Sequence, residues 1–366
     1  MLRKLRKKTL LVLILALALV LGACAQSAPA PAPPASGNGE DSNGGDAPGA
    51  SDEVYHWRLA HEEFDGSVQD VYAKEFAALM HELSGGRINI DVYQVGMIGD
   101  ATQQAELLQV GGIEFAMVSP GNTGTIVPEN QLFSLHFLFD EDLEKTMRLA
   151  WESEALNTML SGLYLDRNIQ VLSYWTYGPM NWTANKPLRS PDDFVGLRFR
   201  TMPSPMIVAA YAAYGANPTP IPYLEVYSAL QLGMAEGQEN PFSGIYEAKF
   251  YEVQEYLIAA NSNLYWTTTA TNPDFFNGLP ADIQQIILQA VEQMHMRGLE
   301  ISMALDAQDL EAMLATGEIT LLELTPQERD VFRTYAMTAW DVYRDMVGAA
   351  GSDILDKLIE EVEAMS

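Results

Sequence analysis

The stretch "SVQDVYAKEFAALMHELSGGRINIDVYQ", residues 67–94, combines two different hydrophobic periods. Apolar residues recur at helical spacing through its first half, and the pair Gly85-Gly86 ends that pattern. In its last eight residues, apolar and polar side chains alternate from Ile88 to Val92, which is typical of a strand. The stretch therefore predicts a helix that is followed closely by a strand.

The segments on either side extend this alternation. "YHWRLA" (55–60) precedes it as a short strand, and "ATQQAELLQVGG" (101–112) and "IEFAMVS" (113–119) follow as a helix and a strand. Strands and helices that alternate in this way predict parallel pairing, with helices covering the sheet. Ligands of such open sheets bind beyond the carboxyl ends of the strands, here at loops such as residues 119–122.

The second half of the chain repeats the α/β character with more proline-marked loops. Strand patterns occur in "NIQVLSYWTYG" (168–178) and "GLRFR" (196–200), and the last ~90 residues read as mainly helical apart from "EITLLEL" (318–324). We expect two α/β lobes braced by a helical C-terminal region. A cleft between lobes is the default ligand site of such an architecture.

Composition narrows the class of function. The 366 residues suffice for two domains, and 48% of them are hydrophobic, so most of the chain can bury a core. A formal net charge of −28 argues against binding to nucleic acid and against adsorption on anionic lipid. An acidic protein binds an anion only through a local cationic pocket, which draws attention to buried arginines.

The N-terminus reads as an export signal. Five cations precede an apolar run from Leu10 to Leu21, and "LGAC" at 21–24 resembles a bacterial lipobox. We expect a signal peptide at 1–23 and lipidation of Cys24, the sole cysteine; the alternative is a plain signal peptide with a chance cysteine. Removing 1–23 would change the net charge to −28 − 5 = −33.

A segment rich in Pro, Gly and Ser follows at residues 25–52. Its composition cannot bury enough apolar surface to fold, so we expect residues 24–52 to form a tether with a reach of about 30 Å. The prediction is an extracytoplasmic globular body, lipid-anchored to the outer face of the cytoplasmic membrane and not embedded in it.

Motifs of catalysis, metal binding and cofactor binding are weak. The five histidines form no metal pattern, and no nucleophile elbow, P-loop or dinucleotide fingerprint occurs. "HEE" at 61–63 reads as a partly exposed strand end, or as one metal ligand. Glu236 and Glu239 leave open a carboxylate pair of the kind that hydrolases use. We expect no cofactor and no enzymatic activity.

Two arginines are more informative. Arg198 and Arg200 stand two apart in "GLRFR", so on an extended strand they share one face. A guanidinium at a strand end can hold a carboxylate through two parallel hydrogen bonds. The residues alone do not choose between the two arginines, and both can equally be surface charges.

Residues 196–257 resemble a known family. "GLRFRTMPSP", "GANPTPIPYLEVYSALQLGMAEGQENP" and "KFYEVQ" are similar to the solute-binding proteins of TRAP (tripartite ATP-independent periplasmic) transporters, the DctP family. "GRINIDVYQVGMIGD" and "LHFLFD" extend the resemblance upstream, and it covers residues 55–366 at consistent spacing. The combination of GQENP with KFYEVQ is far more specific than a short motif.

The resemblance implies a periplasmic-binding-protein-like fold of two lobes with a central cleft, crossing strands and long bridging helices. Lobe I is expected at 53–177 plus 266–305, and lobe II at 178–265 plus 306–366. Such a protein binds a small carboxylate and delivers it to a membrane permease with a small and a large subunit. An alternative of another class is a sensor that presents the bound ligand to a membrane receptor.

Three ligand-binding residues follow from the matching motifs. Arg200, the last arginine of GLRFR, holds the place of the family's carboxylate-binding arginine, and Asn240 of GQENP is expected to donate to the same carboxylate. Tyr223 holds the place of an aromatic residue that packs on the ligand. Gln238 and Glu239 are expected only to shape and solvate a turn.

The sequence differs at two positions from relatives whose pocket is more polar. A second arginine of sialic-acid-binding relatives falls at Met180, and an acidic residue of theirs falls at Ser119. We therefore expect a single anchored carboxylate on an apolar or aromatic body, and a dicarboxylate is less supported. Further pocket candidates lie near strand ends, and the aromatic ones can equally be core residues: Tyr177, Trp175, Trp182, Glu62 and Asn181.

Overall fold

The computed structural model describes residues 53–365. The predicted signal peptide, the lipidated Cys24 and the tether at 24–52 lie outside these described residues. Within residues 53–365, no helix is both long enough and apolar enough to cross a bilayer.

The first sheet, sheet A, contains five strands in the order β2-β1-β3-β10-β4. The strand β1 pairs in parallel with β2 and β3, whereas β10 runs antiparallel to β3 and β4. The parallel core confirms the pairing predicted from the strand–helix alternation. The strands of sheet A are β1 (Tyr55–Ala60), β2 (Ile88–Tyr93), β3 (Phe115–Val118), β4 (Gln170–Pro179) and β10 (Leu264–Thr271).

Sheet B contains six strands in the order β11-β9-β5-β8-β6-β7. Its central strand β8 has the sequence GQEN and is buried at every position, so the expectation of a solvated turn at Gln238 and Glu239 is wrong. Pairing on both sides supplies the backbone hydrogen bonds that let so polar a strand be buried. The strands are β5 (Asn181–Ala184), β6 (Arg198–Thr201), β7 (Asn217–Pro220), β8 (Gly237–Asn240), β9 (Tyr256–Ala259) and β11 (Thr320–Glu323).

Helices cover both sheets, and local sequence signals fix their ends. The first helix begins after Ser67, whose side chain accepts from the Asp70 N–H, and it ends before Gly85 and Gly86, both of which have positive φ. The helices are α1 (Val68–Leu83), α2 (Ala101–Gln109), α3 (Pro120–Thr123), α4 (Leu143–Glu152), α5 (Ser161–Leu165), α6 (Pro205–Ala213), α7 (Val226–Gln231), α8 (Phe242–Glu247), α9 (Pro273–Gly278), α10 (Ala281–Met294), α11 (Arg297–Thr316) and α12 (Pro326–Ala364). Short 3₁₀ turns lie at Pro128–Ser134, Pro191–Phe194, Tyr223–Glu225 and Phe250–Glu252, and a π-helical turn at Ala155–Leu160 precedes α5.

The chain crosses between the sheets three times: α9, α10 and α11 lie in the long crossing from β10 to β11, and the other two crossings are short and neighbouring. Only Met180 separates β4 of sheet A from β5 of sheet B, and residues 260–263 connect β9 of sheet B to β10 of sheet A. The N–H of Met180 donates to the carbonyl of Asn263 over 2.8 Å, so the two crossings are tied to each other. The lobe boundaries at 177/178 and 265/266 stay a prediction.

Two long helices brace both sheets. α11 contacts β4 and α1 on the side of sheet A and α8 on the side of sheet B. α12 contacts α6 as well as the turns at Pro128–Ser134 and Ala155–Leu160, and it kinks at Gly348. The two-sheet architecture with crossing strands and bridging helices confirms the predicted fold class.

The contact between α11 and β4 leaves no room for a side chain at Gly298. A Cβ there would lie 2.3 Å from Cε3 of Trp175, whose ring is itself stacked on Tyr72 with a centroid distance of 4.4 Å. Gly298→Ala should therefore lower the free energy of unfolding by about 1–3 kcal/mol, as overpacked cores do. Urea denaturation measures this change.

Gly162→Ala is the matched control, because Gly162 lies in α5 and a methyl group added there would meet no atom within 4 Å. At this position alanine should stabilise the protein by up to about 1 kcal/mol through helix propensity. Equal unfolding midpoints for the two variants would contradict the close packing of α11 on β4.

Candidate functional site

A small cavity of about 20 Å³ lies between the two sheets. Sheet A supplies residues that follow β1 and β3, and sheet B supplies residues from β6, β8 and the turn after β7. Most of the side chains that line it are polar: Glu62, Glu63, Asn122, Arg200, Tyr223 and Asn240. The position agrees with the rule that ligands bind beyond the carboxyl ends of parallel strands.

Arg200 is the cation of this cavity. Its side chain lies in the middle of β6 and is only 2% exposed, yet it forms no ion pair with any carboxylate in the described part of the chain. Nε donates to the carbonyl of Ile221 over 2.9 Å. Burial lowers the pKa of Arg200 to about 10, so the guanidinium remains charged at neutral pH. A buried charge of this kind needs an anionic partner.

Asn240 lies at the end of β8, next to the same cavity. Its Nδ2 donates to Oε1 of Gln238 over 2.5 Å, which fixes the amide orientation and leaves the second N–H of Nδ2 unused. Arg200 and Asn240 thus offer N–H donors to one space, as the motif predicts. Their role towards a ligand remains a prediction.

Tyr223 lines the cavity, and its side chain is held in place by two contacts. The hydroxyl lies 2.8 Å from Oε1 of Glu247, and the ring centroid is 5.4 Å from that of Phe64, which follows β1. This aromatic contact joins the segment after β1 to the segment after β7.

Glu62 faces the cavity directly after β1 and is 3% exposed. Its Oε1 accepts from the Ser119 N–H over 2.8 Å, and its Oε2 accepts from the Tyr265 hydroxyl over 3.2 Å. Burial raises the pKa of Glu62 to about 7 against the opposing effect of these hydrogen bonds. The carboxyl therefore titrates near neutral pH.

Glu63 is a second buried carboxyl of the same cavity. It accepts from the Tyr177 hydroxyl and, over 3.2 Å, from the Gln69 N–H, and burial raises its pKa. His61 is also fully buried and lies 3.4 Å from Asp70. The expectation of a partly exposed strand end at "HEE" is therefore wrong: all three side chains turn inward.

Four other predicted residues lie beside the cavity rather than on it. Ser119 and Met180 line an adjoining space, and Ser119 reaches the site through its backbone N–H to Glu62. Tyr177 acts through its hydrogen bond to Glu63. Asn181 is fully buried at the start of β5 and donates to the Pro179 carbonyl over 3.2 Å.

The expected aromatic wall has a different composition. Trp175 is stacked on Tyr72 in the core, and Trp182 donates to the Tyr211 hydroxyl over 2.9 Å, so neither indole lines the cavity. Tyr223 and Tyr265 supply the aromatic surface instead. The less polar pocket predicted from Met180 and Ser119 stays a prediction.

Sequence reasoning missed four lining residues, Glu63, Ala101, Met202 and Tyr265, and it named Asn122 only as part of the loop at 119–122. Glu63 and Asn122 carry a usable signal, because each is a polar residue within a few positions of the carboxyl end of a parallel strand. Tyr265 lies near the start of the antiparallel β10 and Met202 directly after β6, and neither position differs in pattern from core residues.

The carboxylate pair considered for a hydrolase is not formed. Glu236 lies at the surface, 3.3 Å from the half-exposed Arg198. Glu239 is buried and accepts from the Tyr211 hydroxyl over 2.5 Å. Residues three apart on a strand point to opposite faces, so the two carboxyls do not converge on one bond. The two arginines also differ: Arg198 is half exposed, whereas Arg200 is buried.

The site combines one buried guanidinium, an amide donor and two buried carboxyls from both sheets. Such a set can bind and orient a small polar molecule by charge and hydrogen bonds.

Comparisons with known proteins agree with this interpretation. The family DctP, described as "Bacterial extracellular solute-binding protein, family 7", matches residues 59–345. The ectoine-binding periplasmic protein TeaA of Halomonas elongata is 33% identical over 311 residues, which are 85% of this chain and 91% of TeaA. The ectoine/5-hydroxyectoine-binding periplasmic protein UehA of Ruegeria pomeroyi is 33% identical over 319 residues, covering 87% and 94%.

The fold shows the same relationship. The structure of the periplasmic ectoine-binding protein of the TeaABC TRAP transporter of Halomonas elongata superposes with a TM-score of 0.82 at 32% identity. The match covers 85% of this chain and all of that one. The chain belongs to the DctP family, the extracellular solute-binding proteins of TRAP transporters.

Proposed function

We propose that this protein captures a small zwitterionic organic acid and delivers it to a TRAP permease. The observation that supports this most directly is Arg200, which is buried without a carboxylate partner among residues 53–365, in a cavity that also contains Glu62. A ligand with a carboxylate and a cationic group would complement both charges. This ligand class replaces the acid with an apolar body that the sequence suggested.

The carboxylate end would bind at Arg200 and Asn240. Nη1 and Nη2 of Arg200 make no hydrogen bond within residues 53–365, so both are available for a bidentate contact. The free N–H of Asn240 adds a third donor from the neighbouring strand. Binding would then satisfy a charge whose burial is otherwise costly.

The cationic end would bind at Glu62. Ser119 and Tyr265 already hold both oxygens of this carboxyl, so its position is fixed before a ligand arrives. Each carboxylate oxygen has a second lone pair for an N–H donor of the ligand. A plain dicarboxylate would instead place its second negative charge near Glu62 and Glu63, which repel it.

The relatives favour the same ligand class. TeaA and UehA are named for binding ectoine, a small cyclic zwitterion with one carboxylate, and they align with most of this chain. We propose ectoine or a molecule of similar charge pattern as the ligand. The proposed role is binding without chemical turnover.

The proposed partners follow from the family. The bound protein would dock on the small and large membrane subunits of a TRAP permease. We also propose that a lipid on Cys24 anchors the protein at the outer face of the cytoplasmic membrane, and that residues 25–52 give it reach. The lipobox-like "LGAC" sequence supports this part of the proposal.

Replacing Arg200 should abolish tight binding of ectoine. We expect Arg200→Gln to weaken binding by about 2–5 kcal/mol, because it removes one partner of a buried charge pair. Isothermal titration calorimetry measures the affinity. A thermal-shift assay supplements it, because a ligand at a concentration of about 100 times its Kd stabilises the native state by about 2.7 kcal/mol.

Arg198→Gln is the matched control, because Arg198 lies two residues away on the same strand and is half exposed. It should leave the affinity unchanged. Similar affinities for both variants would refute the assignment of Arg200, and tighter binding of succinate than of ectoine would refute the zwitterion.

The affinity for a zwitterion should fall as the pH drops below about 7. The pKa of Glu62 is raised to about 7, so Glu62 loses its charge below that pH and can no longer pair with a cation. At pH values well below this pKa, the affinity would fall about tenfold for each unit by which the pH decreases. The affinity for a plain acid would rise instead, because protonation removes a repulsive charge.

Glu62→Gln isolates this effect from other groups that titrate nearby, since burial also raises the pKa of Glu239 to about 7 and that of Glu63. The variant should bind ectoine weakly and lose most of the pH dependence between pH 5.5 and 8, about one unit on either side of the range in which Glu62 titrates. A pH profile identical to that of the wild type would exclude Glu62 as the cation-binding group.

The membrane anchor is tested separately. Cys24→Ser should release the exported protein from the membrane fraction into the soluble extracytoplasmic fraction, as judged by immunoblotting after fractionation. Its affinity for ligand should not change. If the variant stays with the membrane at the wild-type level, the protein is held there by something other than a lipid on Cys24.

A further inference from the structure

A second, larger cavity of about 160 Å³ lies at the connections between the two sheets. Four segments form it: the segment at 137–143, Pro179 at the end of β4, the segment at 261–264, and the first two turns of α12. It shares no lining residue with the candidate site.

Arg333 provides a flat cationic surface at this cavity. Its guanidinium carbon lies 4.7 Å from the ring centroid of Phe137, and Nη1 is 3.5 Å from the Phe137 carbonyl oxygen. The side chain is 46% exposed, so its remaining N–H groups face solvent. Together Arg333 and Phe137 form a surface on which a planar group can stack.

Arg329 lies deeper and has donors to spare. Its side chain is 15% exposed; Nη1 pairs with Glu141 over 2.7 Å, and Nη2 donates to the Asn261 carbonyl over 3.1 Å. Nε is buried and has no hydrogen-bond partner within the described residues. Glu141 is 67% exposed, and a surface ion pair of this kind is weak, so another carboxylate can replace it at little cost.

The backbone on either side of the cavity is held in an unusual conformation. Phe137 and Asn261 both have positive φ, 60° and 45°, although neither is glycine. The Phe137 N–H donates to the Ser262 carbonyl over 3.0 Å, which ties the two segments together. Ser262 is fully buried, and its Oγ has no partner among residues 53–365. Strained backbone clusters at ligand sites, and a buried polar atom without a partner in a native structure calls for an explanation.

The rest of the cavity determines the class of ligand. Phe139, Leu143 and Leu264 make its wall apolar, and the ring of Phe139 is itself fixed against Trp266 at 4.7 Å between centroids. The acids Glu141 and Asp330 lie beside the two arginines, so a ligand with several negative charges would be repelled. The surroundings favour one negative charge on a flat apolar body.

We propose that this second cavity binds a small aromatic monocarboxylate. Its carboxylate would take the place of Glu141 at Arg329, and its ring would lie between Phe139 and the surface formed by Arg333 and Phe137. The cavity borders the two short crossings between the sheets, so the ligand would contact segments that join the lobes. This proposal is independent of the function proposed for the first cavity.

Benzoate is the probe, tested on the Arg200→Gln protein so that the first cavity does not contribute. Saturation-transfer NMR and calorimetry should show saturable binding with a Kd of about 1 mM or tighter, as expected for a ligand of this size. Benzamide, which has the same shape without the charge, should bind at least about tenfold more weakly, a ratio that corresponds to about 1.4 kcal/mol.

Further replacements locate the site. Arg329→Gln should weaken benzoate at least about tenfold, and Arg333→Gln should weaken it less. Arg333 is half exposed, so its variant keeps the test valid if Arg329→Gln does not fold. Arg198→Gln should have no effect.

Two results would overturn the proposal. One is the absence of saturable benzoate binding to the folded Arg200→Gln protein. The other is benzoate binding that Arg333→Gln and Phe139→Ala both leave unchanged, because the benzoate would then bind elsewhere on the surface.

Discussion

The guanidinium of Arg200 is buried in the middle of a β-sheet and forms no ion pair within residues 53–365. In a medium of low dielectric constant, such a charge dominates its surroundings, because water no longer screens it. The neighbouring strand β8 carries polar side chains at every position after Gly237. Glu239 on β8 attracts this charge from within the same sheet, and the carboxyls of the cavity come from sheet A.

Sheet A supplies the opposite charge. Glu62 and Glu63 follow β1, and backbone and phenolic donors from β3 and β10 keep the oxygens of Glu62 in place. The donors belong to strands whose positions the core fixes, so the carboxyl does not need a ligand to be ordered. Because the positive and the negative groups lie on separate sheets, a ligand between them would contact both sheets at once.

The sequence predicted local and motif-borne features well and long-range burial poorly. The alternation in residues 55–118 specified β1 to β3 and their parallel pairing, because each period reflects one face of a single element. The motif at 237–241 indicated that Asn240 belongs beside Arg200. The same motif suggested a solvated turn, since nothing in GQEN reveals that strands pair on both sides of it. The sequence also did not predict the burial of Glu63 or the core position of Trp175. Both depend on contacts with α1 and α11, which lie in distant parts of the sequence.

The hydrogen bond between Met180 and Asn263 limits how the lobes can move. The two crossings that it joins have one and four residues between their strands, too few to lengthen appreciably. These two short crossings therefore oppose sliding of one sheet past the other, and a rotation about a line near this bond strains them least. A single interprobe distance far from that line would follow such a rotation through the binding cycle.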